Sequence, residues 1–276
     1  MQTITSKDGT TIAYDQAGKG PALILVGGAF EQRAMESDTS KLAVYPLLNE
    51  HFTVYHYDRR GRGDSTDTLP FAVEREIEDI EALIDHAGGS AFLSGISSGA
   101  GLAFEAALSL GSKVKKLAMY EPPYNDDETA KQAWVKLRHE IKQPLAEGRN
   151  GDAVGLFMML MGMPPEHLEG MKQIPIWPMF EAIAPTLAYD AAALGEDASV
   201  PVEKAAKLTT PTLVMDGGSS EFPFMHPTAV ALAKAIPNAQ HRTLEGHNLI
   251  VPPEGGDLVD PATGIHYRLV DASMIP

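Results

Sequence analysis

Residues 91–104 read AFLSGISSGAGLAF. Ala91, Phe92 and Leu93 form a short apolar run, the pattern of a buried strand. Gly95, Ser97 and Gly99 follow in G-x-S-x-G spacing, and a small, apolar, helix-forming stretch continues from Ala100 to Phe104. Strand, tight turn and helix is the context in which this spacing carries chemistry. So sharp a turn puts its middle residue in a strained backbone conformation and pushes the side chain out over the sheet edge. Side chains at 95 and 99 would collide with the neighbouring strand or helix, hence glycine at both. A helix starting at Ser98 aims its unpaired N–H groups at the same point. Ser97 is therefore the candidate nucleophile.

Upstream of this stretch, residues 2–6 and 10–15 alternate as an antiparallel hairpin with Asp8-Gly9 at the turn. Pro21 to Val26 (PALILV) is a continuous apolar run, the mark of a strand buried on both faces, and it stops at Gly27-Gly28-Ala29-Phe30. A loop and helix are expected over 34–49, then a strand from Phe52 to Tyr57 and the loop Asp58–Ser65. Arg59, Arg60 and Arg62 in that loop could bind an anion, but they read more readily as a solvated connecting turn. Residues 71–87 carry Val73, Ile77, Ile80, Leu83 and Ile84 at helical spacing. Downstream, Val114 to Tyr120 is a strand ending at Glu121-Pro122-Pro123.

Strand and helix in alternation predict an α/β chain with a doubly wound, mostly parallel sheet. Ligands bind outside the carboxyl ends of such strands. Gly28, Ser97 and Glu121 all fall there.

Residues 124–207 change character and read as helical throughout, near 127–147, 151–162, 165–172 and 177–194, with prolines at 164, 165, 175 and 178 as breaks or starts. The expectation is a helical cap inserted between two core strands, so that 1–123 and 208–276 form the core. Phe157, Met158, Met159, Met161, Met163, Trp177, Met179 and Phe180 concentrate in this stretch. Most should pack the cap's own interior, with some apolar surface left for a pocket and hydrophobic substrates. Pro211 to Met215 (PTLVM) returns to the sheet and ends at Asp216-Gly217-Gly218-Ser219-Ser220. A helix over 226–236, a strand over 240–244 and the turn Glu245-Gly246-His247 follow. Residues 249–276 are rich in Pro and Gly, with a strand-like piece at 265–270.

The chain has 276 residues, enough to bury a large core, and its net charge of −15 argues against nucleic acid or an anionic membrane as partner. With no cysteine, disulfides, thiolate chemistry and Cys-based metal sites are excluded. No stretch is long and apolar enough to span a membrane, and the start lacks the basic-then-apolar pattern of a signal peptide, so a cytoplasmic protein is expected. No histidine pair has zinc-site spacing, Gly99-Ala100-Gly101 lacks the third glycine of a dinucleotide fingerprint and no P-loop pattern occurs, so neither metal nor cofactor is expected.

Taken together, the Gly95–Gly99 turn, the Gly27-Gly28 turn, the Asp58–Ser65 loop, the PTLVM strand and the Gly246-His247 pair resemble the α/β-hydrolase family over nearly the whole chain. That resemblance implies a triad in the chain order nucleophile, acid, histidine. His247 matches the family histidine by its place after the last strand. The family most often sets its acid in a Gly-Asp-x-Asp pattern after the PTLVM-type strand, where Ser220 stands here. Glu121, Glu221 and Asp216 are the candidate replacements, and Glu121 matches a position used by some members of the haloalkane-dehalogenase branch. By the same resemblance, the N–H groups of Ala29 and Ser98 would form the oxyanion hole. Ile96 stands where His is common before the nucleophile. The resemblance implies a serine hydrolase that cleaves small or medium carboxylic esters with an apolar part through an acyl-enzyme. Serine at 97 disfavours dehalogenase or epoxide-hydrolase chemistry, which uses an aspartate in this fold. The alternative is a non-hydrolytic member of the fold, either a lyase with His247 as base or a small-molecule binding protein.

Overall fold

The computed structural model describes residues 1–34 and 48–247. Among these, eight strands form one mixed sheet in the order β1-β2-β4-β3-β5-β6-β7-β8. They are β1 (Gln2–Thr5), β2 (Thr11–Gly18), β3 (Ala22–Val26), β4 (Thr53–Tyr57), β5 (Ala91–Ile96), β6 (Val114–Tyr120), β7 (Thr212–Gly217) and β8 (Ala239–Leu244). Only the β1–β2 and β2–β4 pairs are antiparallel, and every pair from β4 to β8 is parallel. This is the mostly parallel α/β sheet the alternation predicts.

Between β4 and β7 the α-helices are α1 (Val73–His86), α2 (Ser98–Leu110), α3 (Glu128–Glu140), α4 (Lys142–Ala146), α5 (Asn150–Leu160), α6 (Pro165–Met171), α7 (Trp177–Ile183), α8 (Leu187–Ala193) and α9 (Val202–Ala205). After β7 comes α10 (Met225–Ala235). The single helices expected over 127–147 and 177–194 are each divided in two. The second division falls at a 3-10 turn, Ala184–Thr186, whose Pro185 has no N–H to give to a continuous helix. The helix expected in 34–49 falls mostly, and the strand-like piece at 265–270 wholly, outside the described residues.

Strand residues alternate between the two sheet faces. Ile24, Leu93 and Val214 point into the main core with Ile80, Leu83, Phe104 and Leu232. Their neighbours point the other way: Leu23 joins Leu48, Phe52 and Val54, and Leu213 joins Ala118, Tyr120 and Met215. Alanine and glycine dominate the buried face of α2 (Gly99, Ala100, Gly101, Ala103, Ala106, Ala107), which lets this helix lie close against β5 and β6. Of the apolar positions of α1 named from periodicity, Ile77, Ile80, Leu83 and Ile84 are buried. Each fully buried side chain of this kind is worth about 1.5–3 kcal/mol.

Candidate active site

The turn after β5 is as sharp as its sequence requires. Ser97 has φ 53° and ψ −128°, outside the regions open to ordinary residues. A Cβ on Gly95 would lie 2.4 Å from the Gly99 carbonyl oxygen, and one on Gly99 would lie 2.2 Å from that of Val26. Two bonds lock the bend: Ser97 N–H donates to Tyr120 O at 3.0 Å, and Ala100 N–H donates back to Ser97 O at 2.9 Å. Ser97 itself is only half-buried.

Besides Ser97, the non-glycine residues with positive φ among those described are Phe30 (63°), Glu121 (45°) and Ala198 (53°). Phe30 follows Ala29 on the loop after β3, and Glu121 directly follows β6, so both lie at strand ends flanking β5. Strain of this kind persists where the surroundings over-determine it, and it clusters at functional sites.

Glu121 is fully buried. Its N–H donates to Met215 O at 2.9 Å, and its Oε1 accepts from Gly217 N–H at 2.9 Å. A Cβ on Gly217 would lie 2.8 Å from that same Oε1 and 2.3 Å from His247 O. The carboxylate at the end of β6 and the main chain of His247 therefore meet at one corner, with Gly217 between them. Ser219 N–H donates to His247 O at 2.9 Å and ties the turn after β8 to the loop after β7. His247 is buried, and its Nδ1 lies 2.8 Å from Glu245 O. A carbonyl only accepts, so Nδ1 carries the proton and Nε2 is the ring atom able to take another.

The other two candidate acids lie elsewhere. Asp216 precedes Gly217 on β7 and points to the opposite face, where it meets His226, His241 and Thr243. Glu221 is exposed before α10.

The Asp58–Ser65 loop corrects the expectation of a solvated turn, since Arg59, Arg60 and Arg62 are all buried. Arg59 makes a two-pronged pair with Glu76 at 2.7 and 2.8 Å and reaches Asp190 of α8 at 2.5 Å. Arg60 pairs with Asp79 and Asp8. Arg62 pairs with Asp190 at 2.6 Å and donates to Gly28 O, also at 2.6 Å. Burial alone would raise the Asp190 carboxyl; the charges of Arg62 and Arg59 outweigh it and hold the group below its ordinary range. Burial works against the Arg59 charge, and Glu76 and Asp190 overcome it to hold the guanidinium well above its ordinary value.

These ion pairs stand directly behind the two amides named for the oxyanion hole. Gly28 C=O and Ala29 N–H belong to one planar trans peptide and point in opposite directions. With Arg62 holding the carbonyl on the buried side, the Ala29 amide is turned the other way. Ser98, the second residue, donates its hydroxyl to Asp190 Oδ1 at 2.8 Å, and as the first residue of α2 its N–H has no partner within the helix. Sequence reading missed Asp190, Glu76 and Asp79 as members of this assembly. A signal was present for two of them: Glu76 and Asp79 interrupt the apolar face of α1 beside Ile77 and Ile80. Asp190 gave none, being far along the chain.

Above the loop after β3, the Phe30 ring meets Phe157 edge-on at 5.3 Å between centroids and Phe180 at 5.0 Å. Aromatic residues of α5 and α7 thus reach the sheet end next to Ala29.

Residues 23–259 match the family described as the alpha/beta hydrolase family. An alpha/beta hydrolase from Sphaerobacter thermophilus is 45% identical, covers 97% of this chain and 100% of its own, and superposes with a TM-score of 0.78. A thermophilic esterase from Thermogutta terrifontis (22% identity, 90% and 91% covered, TM-score 0.62) and an enol-lactonase from Burkholderia xenovorans (22%, 88% and 91%, TM-score 0.60) share the fold. Family match and shared architecture extend over the same strands, turn and helices that carry Ser97, Glu121 and His247, and the chain belongs to the alpha/beta hydrolase family.

Proposed function

We propose that this hydrolase cleaves carboxylic esters with an apolar part, with Ser97 as nucleophile, His247 as base and Glu121 as acid. Ser97 Oγ attacks the carbonyl carbon while His247 Nε2 takes its proton. The Ala29 and Ser98 N–H groups receive the charge that develops on the carbonyl oxygen. The tetrahedral intermediate expels the alcohol, which takes the proton from His247, and leaves Ser97 acylated. Water, deprotonated by the same nitrogen, then releases the acid. Glu121 favours the charged imidazolium that forms in each half. The helical stretch 124–207 serves as a cap, with Phe157 and Phe180 beside Phe30 as an apolar wall.

The observation that carries this reading is the strained φ of 53° at Ser97, on a turn whose neighbouring strand ends hold Glu121 and the loop of Ala29. The esterase and the lactonase among the structures of shared fold act on ester bonds, in keeping with it.

The test is labelling with a fluorophosphonate, followed by turnover of p-nitrophenyl esters of increasing chain length. Labelling of the intact protein that vanishes in Ser97→Ala, with ester turnover, is the expected result. No labelling, or labelling that survives Ser97→Ala, would sink the nucleophile. Tight ligand binding without ester turnover would point instead to a non-hydrolytic member of the fold.

A further inference from the structure

Asp216 turns away from the Glu121–His247 corner into a second cluster. Its Oδ1 lies 2.5 Å from His241 Nε2, and its Oδ2 lies 2.9 Å from His226 Nδ1. His241 and Thr243 project from the same side of β8 as Asp216 does from β7, since Asp216 pairs with Thr243 and Val214 with His241. His226 enters from the first turn of α10. One donor atom from each of Asp216, His226 and His241 lies within 4.8 Å of the others. The two rings stand steeply to one another, 5.4 Å between centroids and 70° between planes, so their different nitrogens converge from two directions. Thr243 Oγ1 closes the floor, 3.3 Å from each Asp216 oxygen. Exposure grades outward: 1% for the Asp216 side chain, 25% for His241 and 60% for His226.

Two imidazole nitrogens and one carboxylate oxygen are the donors of borderline divalent transition ions. Calcium and magnesium prefer all-oxygen sets. The carboxylate oxygens lie 2.5 and 2.9 Å from the two imidazole nitrogens, near enough for all three side chains to reach one ion through bonds of about 2 Å after small shifts. We propose that Asp216, His226 and His241 bind a divalent transition-metal ion, with zinc as the reference ion and water completing the shell on the His226 side. The expectation of no metal ligands rested on local spacing. The three residues proposed here have no such spacing, because it is the fold that joins a strand, the start of a helix and the next strand. The site is separate from the Ser97 machinery. It is structural, and it grips the end of β7 one residue before Gly217, whose N–H holds Glu121. The competing account is a buried carboxylate that simply accepts one N–H from each imidazole, and such an arrangement gains nothing from zinc.

The test uses full-length protein without a histidine tag, stripped with a chelator and dialysed. Zinc is titrated calorimetrically, cobalt(II) is followed by its visible absorption, and Tm is measured with and without zinc. The expected result is one ion per chain and a Tm raised by about 5 °C at zinc a hundredfold above its Kd. Binding should weaken at least tenfold in His226→Ala, whose exposed ring is removed at little cost to folding, and vanish in His226→Ala/His241→Ala. It should persist in His247→Gln, which excludes zinc at the proposed catalytic histidine. Absence of saturable binding, binding unchanged in the double variant, or binding lost in His247→Gln would each overturn the proposal, and none of these outcomes bears on ester turnover by Ser97.

Discussion

Ser97, Glu121 and Phe30 each hold a left-handed backbone that costs a non-glycine residue on the order of 1–3 kcal/mol, and they do so at adjacent strand ends. Such strain aims side chains and amides at one place. Under the proposed role of Ser97 as nucleophile, Ser97→Ala should leave the fold intact and lower kcat by roughly 10⁶-fold. With Glu121 as the proposed acid, Glu121→Gln keeps the shape but removes the charge assigned to favour imidazolium, so kcat should fall by about 10⁴-fold with KM little changed. The exposed Glu221→Gln should leave turnover within about twofold, since surface changes away from special features perturb little. Near-normal turnover of Glu121→Gln on a p-nitrophenyl ester would move the acid elsewhere. Gly217→Ala probes the same corner from the main chain. Its methyl would land 2.3 Å from His247 O, so the turn after β8 must shift. We expect a loss of turnover beyond tenfold with about 1–3 kcal/mol of destabilisation, read from kinetics and denaturation of one preparation.

At the level of elements, α8 is joined to the loop after β4 by Asp190, which faces two buried guanidinium groups and the Ser98 hydroxyl. Removing one partner of a buried ion pair costs about 3–5 kcal/mol, because the others are left charged and dry. Asp190→Asn should therefore lower Tm markedly and weaken catalysis through Arg62 and Ser98, with the fluorophosphonate reaction slowed. The pH dependence has a definite sign. The folded Asp190 carboxyl lies below its ordinary 3.8, so the folded protein binds fewer protons than the unfolded chain in the interval between. Its contribution is complete above 3.8 and is lost as pH falls through the folded value. Denaturant midpoints taken from about pH 5 down to about pH 3 should fall steeply for the wild type and less for Asp190→Asn.

This is also the level at which sequence reading succeeded and stopped. The alternation at 2–6 and 10–15, the continuous apolar runs such as 21–26 and 91–93, the spacing of Ile77, Ile80, Leu83 and Ile84, and the glycines around Ser97 are local patterns. They placed the strands, α1 and the turn. The arginines at 59, 60 and 62 looked solvated because their partners come from α1, the β1–β2 turn and α8. The pairing of Asp216 with His226 and His241 was equally hidden, since each belongs to a different element. Contacts between distant elements leave no period in the sequence to read.

Across the whole molecule, 37 acidic residues face 22 basic ones. Among the described residues the buried arginines Arg33, Arg59, Arg60 and Arg62 are matched by the buried acids Asp58, Glu76, Asp79, Glu121, Asp190 and Asp216, so the interior takes up little of the net negative charge and most of it faces solvent. Like charges then repel across the folded surface, and screening should stabilise it. Raising NaCl from about 10 mM to about 100 mM shortens the screening length from about 30 Å to about 10 Å. The Tm should rise over that range in a calorimetric scan. A fall would shift the balance to exposed pairs such as Lys113 with Glu81 and Asp85.

The tie between Asp190 and the arginines beneath the loop of Ala29 also limits how this chain can be recombined. Grafting a foreign segment in place of 124–207 would remove a carboxylate shared by two interior guanidinium groups, leaving Arg59 with Glu76 alone and Arg62 without its aspartate. A chimera would inherit a faulty sheet unless the donor brought an acid to the same spot. Diversification of this scaffold must therefore proceed around that aspartate, by exchanging the helices on either side of it.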